Sequence, residues 1–271
     1  MADTNISGLD MGPTIEWYKN SGLSISYSTK NKPLPYNVEN SQHIGLAEED
    51  LAKLFYLFPK NARKRSILEK IVGQPEAWFH KDSTQENPIP IPNRDEALSP
   101  TAIIPSYVDF LKWKQTGVPS ANIVLYKLPK DLVPKDIGKI ILSEGFIHEL
   151  GHTIVQPAFY VDDYTLKMPD GKLVNGLDAM LQFAQLAEQH PPISHYASTH
   201  RGKCNKFESD DPEYKPKTGI SEELCESIAA YYLGFAYCGD DKRSRNPFAD
   251  RPEIREYVHN FLNAKLAGKE K

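Results

Sequence analysis

A chain of 271 residues, 40% hydrophobic and 25% charged, has enough apolar material for a sizeable core and the ordinary composition of a globular protein. Its formal charge of −4 carries no basic surplus, which argues against nucleic acid as the main partner. No apolar run approaches the roughly 20 residues that span a bilayer, and the three cysteines, Cys204, Cys225 and Cys238, lack CxxC spacing and so imply a reducing compartment or at most one bridge.

The opening "MADTNISGLDMGPTIEW" has no basic stretch followed by an apolar core. No Sec-type signal is visible, and the expectation is a cytoplasmic location or export by another route. Residues 1–45 read as polar loop with a short strand at Leu23–Tyr27. "AEEDLAKLFYLF" then places Leu51, Leu54, Phe55 and Phe58 at i, i+3, i+4 and i+7 behind a run of acids, the pattern of an amphipathic helix. Pro59 ends or kinks it. "ARKRSILEKIVG" predicts continued helix up to Gly73, with the basic cluster from Lys60 to Arg65 as its solvated face. The stretch from Ser83 to Pro105 holds five prolines and little periodicity. It is either a linker, dividing the chain into an N-terminal extension 1–105 and a domain 106–271, or a long loop inside one domain.

"ANIVLYKLP" predicts a short strand. Its Ile123–Tyr126 part is a candidate edge for pairing with an extended substrate, although its apolar character equally fits an internal strand. "PKDIGKIILSEGFIHELGHTIVQP" predicts a helix capped by Asp136 and ended by Pro157. Three more helices follow: "GLDAMLQFAQLAEQH", "SEELCESIAAYYLGFAYC" with Ser221 as its cap, and "RPEIREYVHNFLNAKLAG".

Within the first of these helices stands His148-Glu149-Leu150-Gly151-His152. Residues four apart on a helix lie about 40° apart around its axis and one turn apart along it. His148 and His152 can therefore share one metal ion, and Glu149, off to the side, can serve as a base without being a ligand. Neutral imidazole suits zinc, and a catalytic zinc takes three protein ligands. Gly151 leaves room for another backbone to approach this face, and Leu150 points away to pack. An extended motif would need glycine at 155 and histidine at 158; those positions hold Val155 and Ala158. The remaining source is an acid on a later helix. Glu222 and Glu226, again four apart, can supply a ligand and an acceptor for a ligand histidine's free ring N–H. Glu223, about 100° round the helix, is expected to be solvated. Cys225 reads as a small buried packing residue. His190, His195 and His200 are irregularly spaced and read as loop histidines, with His195 a candidate extra donor at the site.

HExxH on one helix and Glu-x-x-x-Glu on a second resemble the gluzincin metallopeptidases. Within them the chain looks most like the anthrax-lethal-factor-like group, which includes the Pro-Pro endopeptidases. Their second helix reads approximately E-(D/F)-F-A-E-x-(F/V)-A, and "EELCESIA" follows it with Leu224 and Cys225 in the Phe and Ala places. The resemblance covers Ile123 to Tyr232, under half of the chain. It implies an α+β zincin-like domain: a small twisted sheet over the HExxH helix, then a mainly helical C-terminal part. It implies Zn2+ held by His148, His152 and Glu222, Glu149 as general base, Glu226 behind a ligand, and a protein or peptide substrate. Relatives carry an oxyanion-stabilising tyrosine shortly before the ligand glutamate. Here Tyr196, in "ISHYAST" and 26 residues before Glu222, is the first choice, and Tyr214, eight before it, is the alternative. Because such relatives are often exported, the resemblance also implies a toxin or delivered effector. An inactive zincin-like binding module, or a zinc hydrolase of non-peptide amides, would share the same motifs.

Overall fold

A computed structural model of the chain describes residues 24–29, 32–34, 43–74, 106–130, 135–198, 214–237 and 243–268. The proline-rich stretch, Cys204, Cys238 and His200 lie outside these residues. The protein is mixed α+β and falls into two compact units whose segments alternate along the chain. One takes the described parts of Met1–Leu54, Glu69–Asp109 and Asn122–Phe146; the other takes Phe55–Leu68, Phe110–Ala121 and the described parts of Ile147–Lys271. Each therefore draws residues from both sides of position 105. Among the described residues no helix is long and apolar enough to cross a membrane.

The first unit is built on a five-stranded sheet. Its strands are β1 (Ser24–Thr29), β2 (Lys32–Leu34), β4 (Leu68–Gln74), β5 (Ser106–Asp109) and β6 (Ala121–Tyr126), in the order β2-β1-β4-β6-β5. β1 runs antiparallel to β2 and parallel to β4, and β5 runs antiparallel to β6 with Val108 opposite Ile123. β6 is thus an internal strand, not an edge open to substrate. Ile123, Val124 and Leu125 are all buried, as a strand covered on both faces requires. β3 (His43–Ile44) pairs with β7 (Leu128–Pro129), burying Ile44 against Leu128. Helix α1 (Glu48–Leu57) starts on three acids, as its sequence predicts.

The expected helix through Gly73 is not formed. Helix α2 (Lys60–Arg65) stops at Ser66, whose backbone is extended, and β4 begins two residues later. Ile67, Leu68, Ile71 and Val72 satisfy a helical period, but they are mostly β-branched, and pairing with β1 decides the outcome. The basic cluster is corrected as well. Arg65 is only 4% exposed. It donates to the Phe261 carbonyl and lies over the Phe261 ring, 4.7 Å from the centroid. Asn61, one turn earlier, donates to the Asn263 carbonyl at 2.8 Å. Both carbonyls close helix α7 (Pro252–Asn263), where the helix dipole is negative and a cation is stabilising. Burial pushes the Arg65 pKa down, with Tyr164 and Tyr257 opposing it.

Helix α3 (Leu111–Thr116) also belongs to the second unit. Helix α4 (Lys135–Tyr160) carries the HELGH motif. Asp136 lies in its first turn rather than ahead of it, where its charge still favours the helix start. The helix also runs through Pro157 instead of ending there. Proline has no N–H for the Thr153 carbonyl one turn back. The backbone N–H of Ile67 replaces it, at 3.1 Å. Helices α5 (Gly176–Ala187) and α6 (Tyr214–Leu233) complete the second unit together with α7. So do a sheet of β8 (Thr165–Lys167), β9 (Leu173–Asn175) and β12 (Lys265–Leu266) and a hairpin of β10 (Phe235–Tyr237) and β11 (Arg243–Arg245). Its core joins Ile147, Leu150 and Ile154 of α4 to Phe183 of α5, Leu224 and Ile228 of α6, and Val258 and Phe261 of α7, all fully buried.

Gly176 fixes the entry into α5. Asn175 caps the helix by accepting from the Leu177 N–H, and a Cβ on Gly176 would stand 2.6 Å from the Ala158 carbonyl oxygen and 2.9 Å from its Cα. Alanine in a helix ordinarily stabilises relative to glycine by about 0.5–1 kcal/mol. Here the sign should reverse: Gly176→Ala should lower stability by about 1–3 kcal/mol, seen as a lower urea midpoint at unchanged slope.

Candidate metal centre

Two helices build the centre through residues that belong to the second unit. α4 presents His148 and His152 from successive turns, their rings edge to face with centroids 4.8 Å apart. α6 presents Glu222. Three atoms converge: Nε2 of His148 lies 3.0 Å from Glu222 Oε2 and 3.1 Å from Nε2 of His152, which is 3.2 Å from the same Oε2. Among the described residues, these three side chains are the group that could hold a metal ion.

The donor set fits zinc. Two imidazole nitrogens and one carboxylate oxygen are ligands it accepts. Ligands about 2.1 Å from a tetrahedral ion are about 3.4 Å apart, so the triangle must open by a few tenths of an ångström. Both histidines are buried, and Glu222 is the most open of the three, its side chain 16% exposed. That leaves one side of the group for a further ligand.

Glu226, one turn beyond Glu222, sets Oε1 2.7 Å from Nδ1 of His148. The two make an ion-pair contact whose alignment is not that of a straight hydrogen bond. Ser221 is not a cap. It lies inside α6, buried, with Oγ 3.1 Å from Nδ1 of His152, and Gln156 Nε2 donates to that same Oγ at 3.1 Å. Sequence reasoning gave Gln156 no role. Its signal was there: Gln156 follows His152 by four, as His152 follows His148, so the three share one helix face. Glu223 is also buried rather than solvated, because residues 223–230 of α6 are covered on every face.

Glu149 is buried beside His148. Gly151 admits the α6 backbone: a Cβ there would lie 3.2 Å from Cys225 Sγ and 3.4 Å from Cys225 Cα. Cys225 is fully buried, and burial together with the carboxylates of Glu222, Glu149 and Glu226 pushes its thiol pKa well up. It is therefore a neutral packing group.

Tyr196 stands at the mouth, 41% exposed, its ring edge to face with His148 at 5.6 Å between centroids. It sits on a helical turn at 195–198 whose start Ser194 caps by accepting from the Ala197 N–H at 3.0 Å. The approach to that turn is tied to α7: Arg251 Nη1 donates to the Pro191 carbonyl at 2.6 Å, and His190 pairs with Glu253. Tyr214 begins α6, and its side chain lies outside the described part. His195 is exposed.

Burial works against charge on both His148 and Glu222, but their mutual contacts outweigh it. The hydrogen bond to Glu222 and the charges of Glu226 and Glu222 hold the His148 pKa well above the imidazole value, and His152 with His148 holds Glu222 well below the carboxylate value. Without metal, these contacts therefore favour the proton on His148 and the charge on Glu222.

A metal must displace that proton. Zinc binding should release a proton near neutral pH, and affinity should rise with pH until it passes the raised His148 pKa. Calorimetry in buffers of different ionisation enthalpy measures the release. Elemental analysis should give one zinc per chain, lost in His148→Ala and Glu222→Ala; Glu226→Ala should weaken affinity about 10–100-fold. Compared with known proteins, the chain matches no family model, no curated protein and no solved structure.

Proposed function

We propose that the chain is a zinc-dependent endopeptidase with a zincin-like domain, acting on a protein or peptide substrate. The observation that carries this reading is the convergence of the HELGH histidines with Glu222 of a second helix, with Glu149 buried beside them. The resemblance of both motifs to the gluzincins, and of the second to the lethal-factor-like group, supports it further.

When bound, zinc supplies a Lewis acid that acidifies a water and polarises the scissile carbonyl. The chain's own residues do the rest. Glu149 takes the proton from the attacking water and passes it to the leaving amine. The Tyr196 hydroxyl donates to the carbonyl oxygen as negative charge builds there. Glu226 orients His148, and the buried walls of the centre strengthen each of these interactions by excluding water.

A peptide-library assay on the zinc-loaded protein tests the proposal. Glu149→Gln should keep its zinc and lose about 10²–10⁴ in turnover. Tyr196→Phe should lower kcat by about 10²–10³ and leave KM nearly unchanged, because the bond matters only in the transition state. Undiminished cleavage by Glu149→Gln would end this mechanism. A loaded wild type that cleaves non-peptide amides alone, or nothing at all, would instead mark an amide hydrolase or a binding module.

A further inference from the structure

We infer that Arg251 is a positioning residue for Tyr196: its guanidinium, bonded to the Pro191 carbonyl, fixes the turn that holds the tyrosine over His148. The inference rests on the peptidase reading for the part that Tyr196 plays in turnover.

Tyr196 is supported differently from the other groups of the centre. His148, His152 and Glu222 stand within the long helices α4 and α6. Tyr196 stands in a single helical turn at 195–198. One turn fixes many dihedrals for few hydrogen bonds and does not hold by itself. Ser194 ties the turn internally: its Oγ accepts from the Ala197 N–H and its carbonyl from the Ser198 N–H, both at 3.0 Å. Ile193 and Ala197 are buried on one side, and Tyr196 is exposed on the other. These contacts shape the turn, and its direction is set where the chain enters it.

Helix α5 ends at Ala187, and Pro191 and Pro192 follow. Proline has no N–H, so its backbone can be held only through the carbonyl oxygen. Arg251, 60 residues further on, takes the one on Pro191, with Nη1 donating at 2.6 Å. That length is at the short end expected when the donor is ionised. Arg251 is buried, and Asp250 Oδ1, 3.3 Å from its Nε, offsets its charge. It stands directly before α7, which is rooted in the core through Ile254, Val258 and Phe261. His190, the residue before the prolines, pairs with Glu253 in the first turn of the same helix. Two adjacent residues at the entry are thus fixed to one end of α7. A rotation at Pro191 would be carried along the stiff diproline to Tyr196, whose ring lies 5.6 Å from that of His148. A donor misplaced by about 1 Å can cost about 10²-fold in rate.

Arg251→Met tests the contact, because it keeps the apolar stem and removes the donors; Arg251→Lys keeps a donor. In the zinc-loaded protein, Arg251→Met should lower kcat about 10–100-fold with KM nearly unchanged, and Arg251→Lys should recover most of the loss. Added to Tyr196→Phe, Arg251→Met should lower kcat no further, since the hydroxyl it positions is already gone. Zinc affinity, measured by competition with a chelator, should match wild type in all of them. A second readout needs neither zinc nor turnover. In metal-free protein, amide hydrogen exchange over residues 194–198 should speed up about tenfold in Arg251→Met, while α4 and α6 exchange as in wild type. His190→Ala carries both measurements if Arg251→Met does not fold. An equal loss of kcat in the Tyr196→Phe background would overturn the inference. So would weakened zinc binding, or unchanged exchange over 194–198. Faster exchange confined to that turn, in a chain that cleaves no peptide, would keep Arg251 as the residue that holds Tyr196 and end the peptidase reading.

Discussion

The centre depends on how closely α6 can approach α4, and Gly151 sets that distance. Any larger residue there would press on the Cys225 sulfur and backbone. Glycine inside a helix costs about 0.5–1 kcal/mol relative to alanine, and here the missing side chain is what lets Glu222 reach the two histidines. Cys225 fits the same requirement from the other helix. It is small and fully buried, and its thiol is kept neutral by the acids around it. One close contact therefore converts a pair of histidines on one helix into a three-membered group.

Charge balance is the second constraint. Two buried imidazoles and the carboxylates of Glu149, Glu222 and Glu226 share one small region of the second unit. Buried acids are costly without a cation. The proton on His148 offsets part of that cost in the metal-free chain, and a metal would replace it. The tight triangle of His148, His152 and Glu222 is thus a place suited to a cation of either kind.

Elsewhere, distant backbone groups override local rules. The Ile67 N–H, 86 residues before Thr153 in sequence, donates to the Thr153 carbonyl that Pro157 leaves bare, and α4 continues. Pairing with β1 turns a helical pattern into β4. The open carbonyls at the end of α7 draw Arg65 out of an otherwise solvated basic run and into the core.

The sequence by itself determined the HELGH helix, its shared histidine face, the glycine that admits a neighbour, the acid pair at Glu222 and Glu226, and the starts of α5 and α7. These follow from helical period and side-chain chemistry, which are local properties. The tertiary structure decided what depends on partners far along the chain. It brought Glu222 to the histidines and Tyr196 over His148, turned Ser221 from a cap into a hydrogen-bond partner of His152, buried Glu223 and Arg65, and made β6 an internal strand. A buried polar group takes its role from whichever donor, acceptor or charge packs against it, and spacing along one helix carries no record of that neighbour.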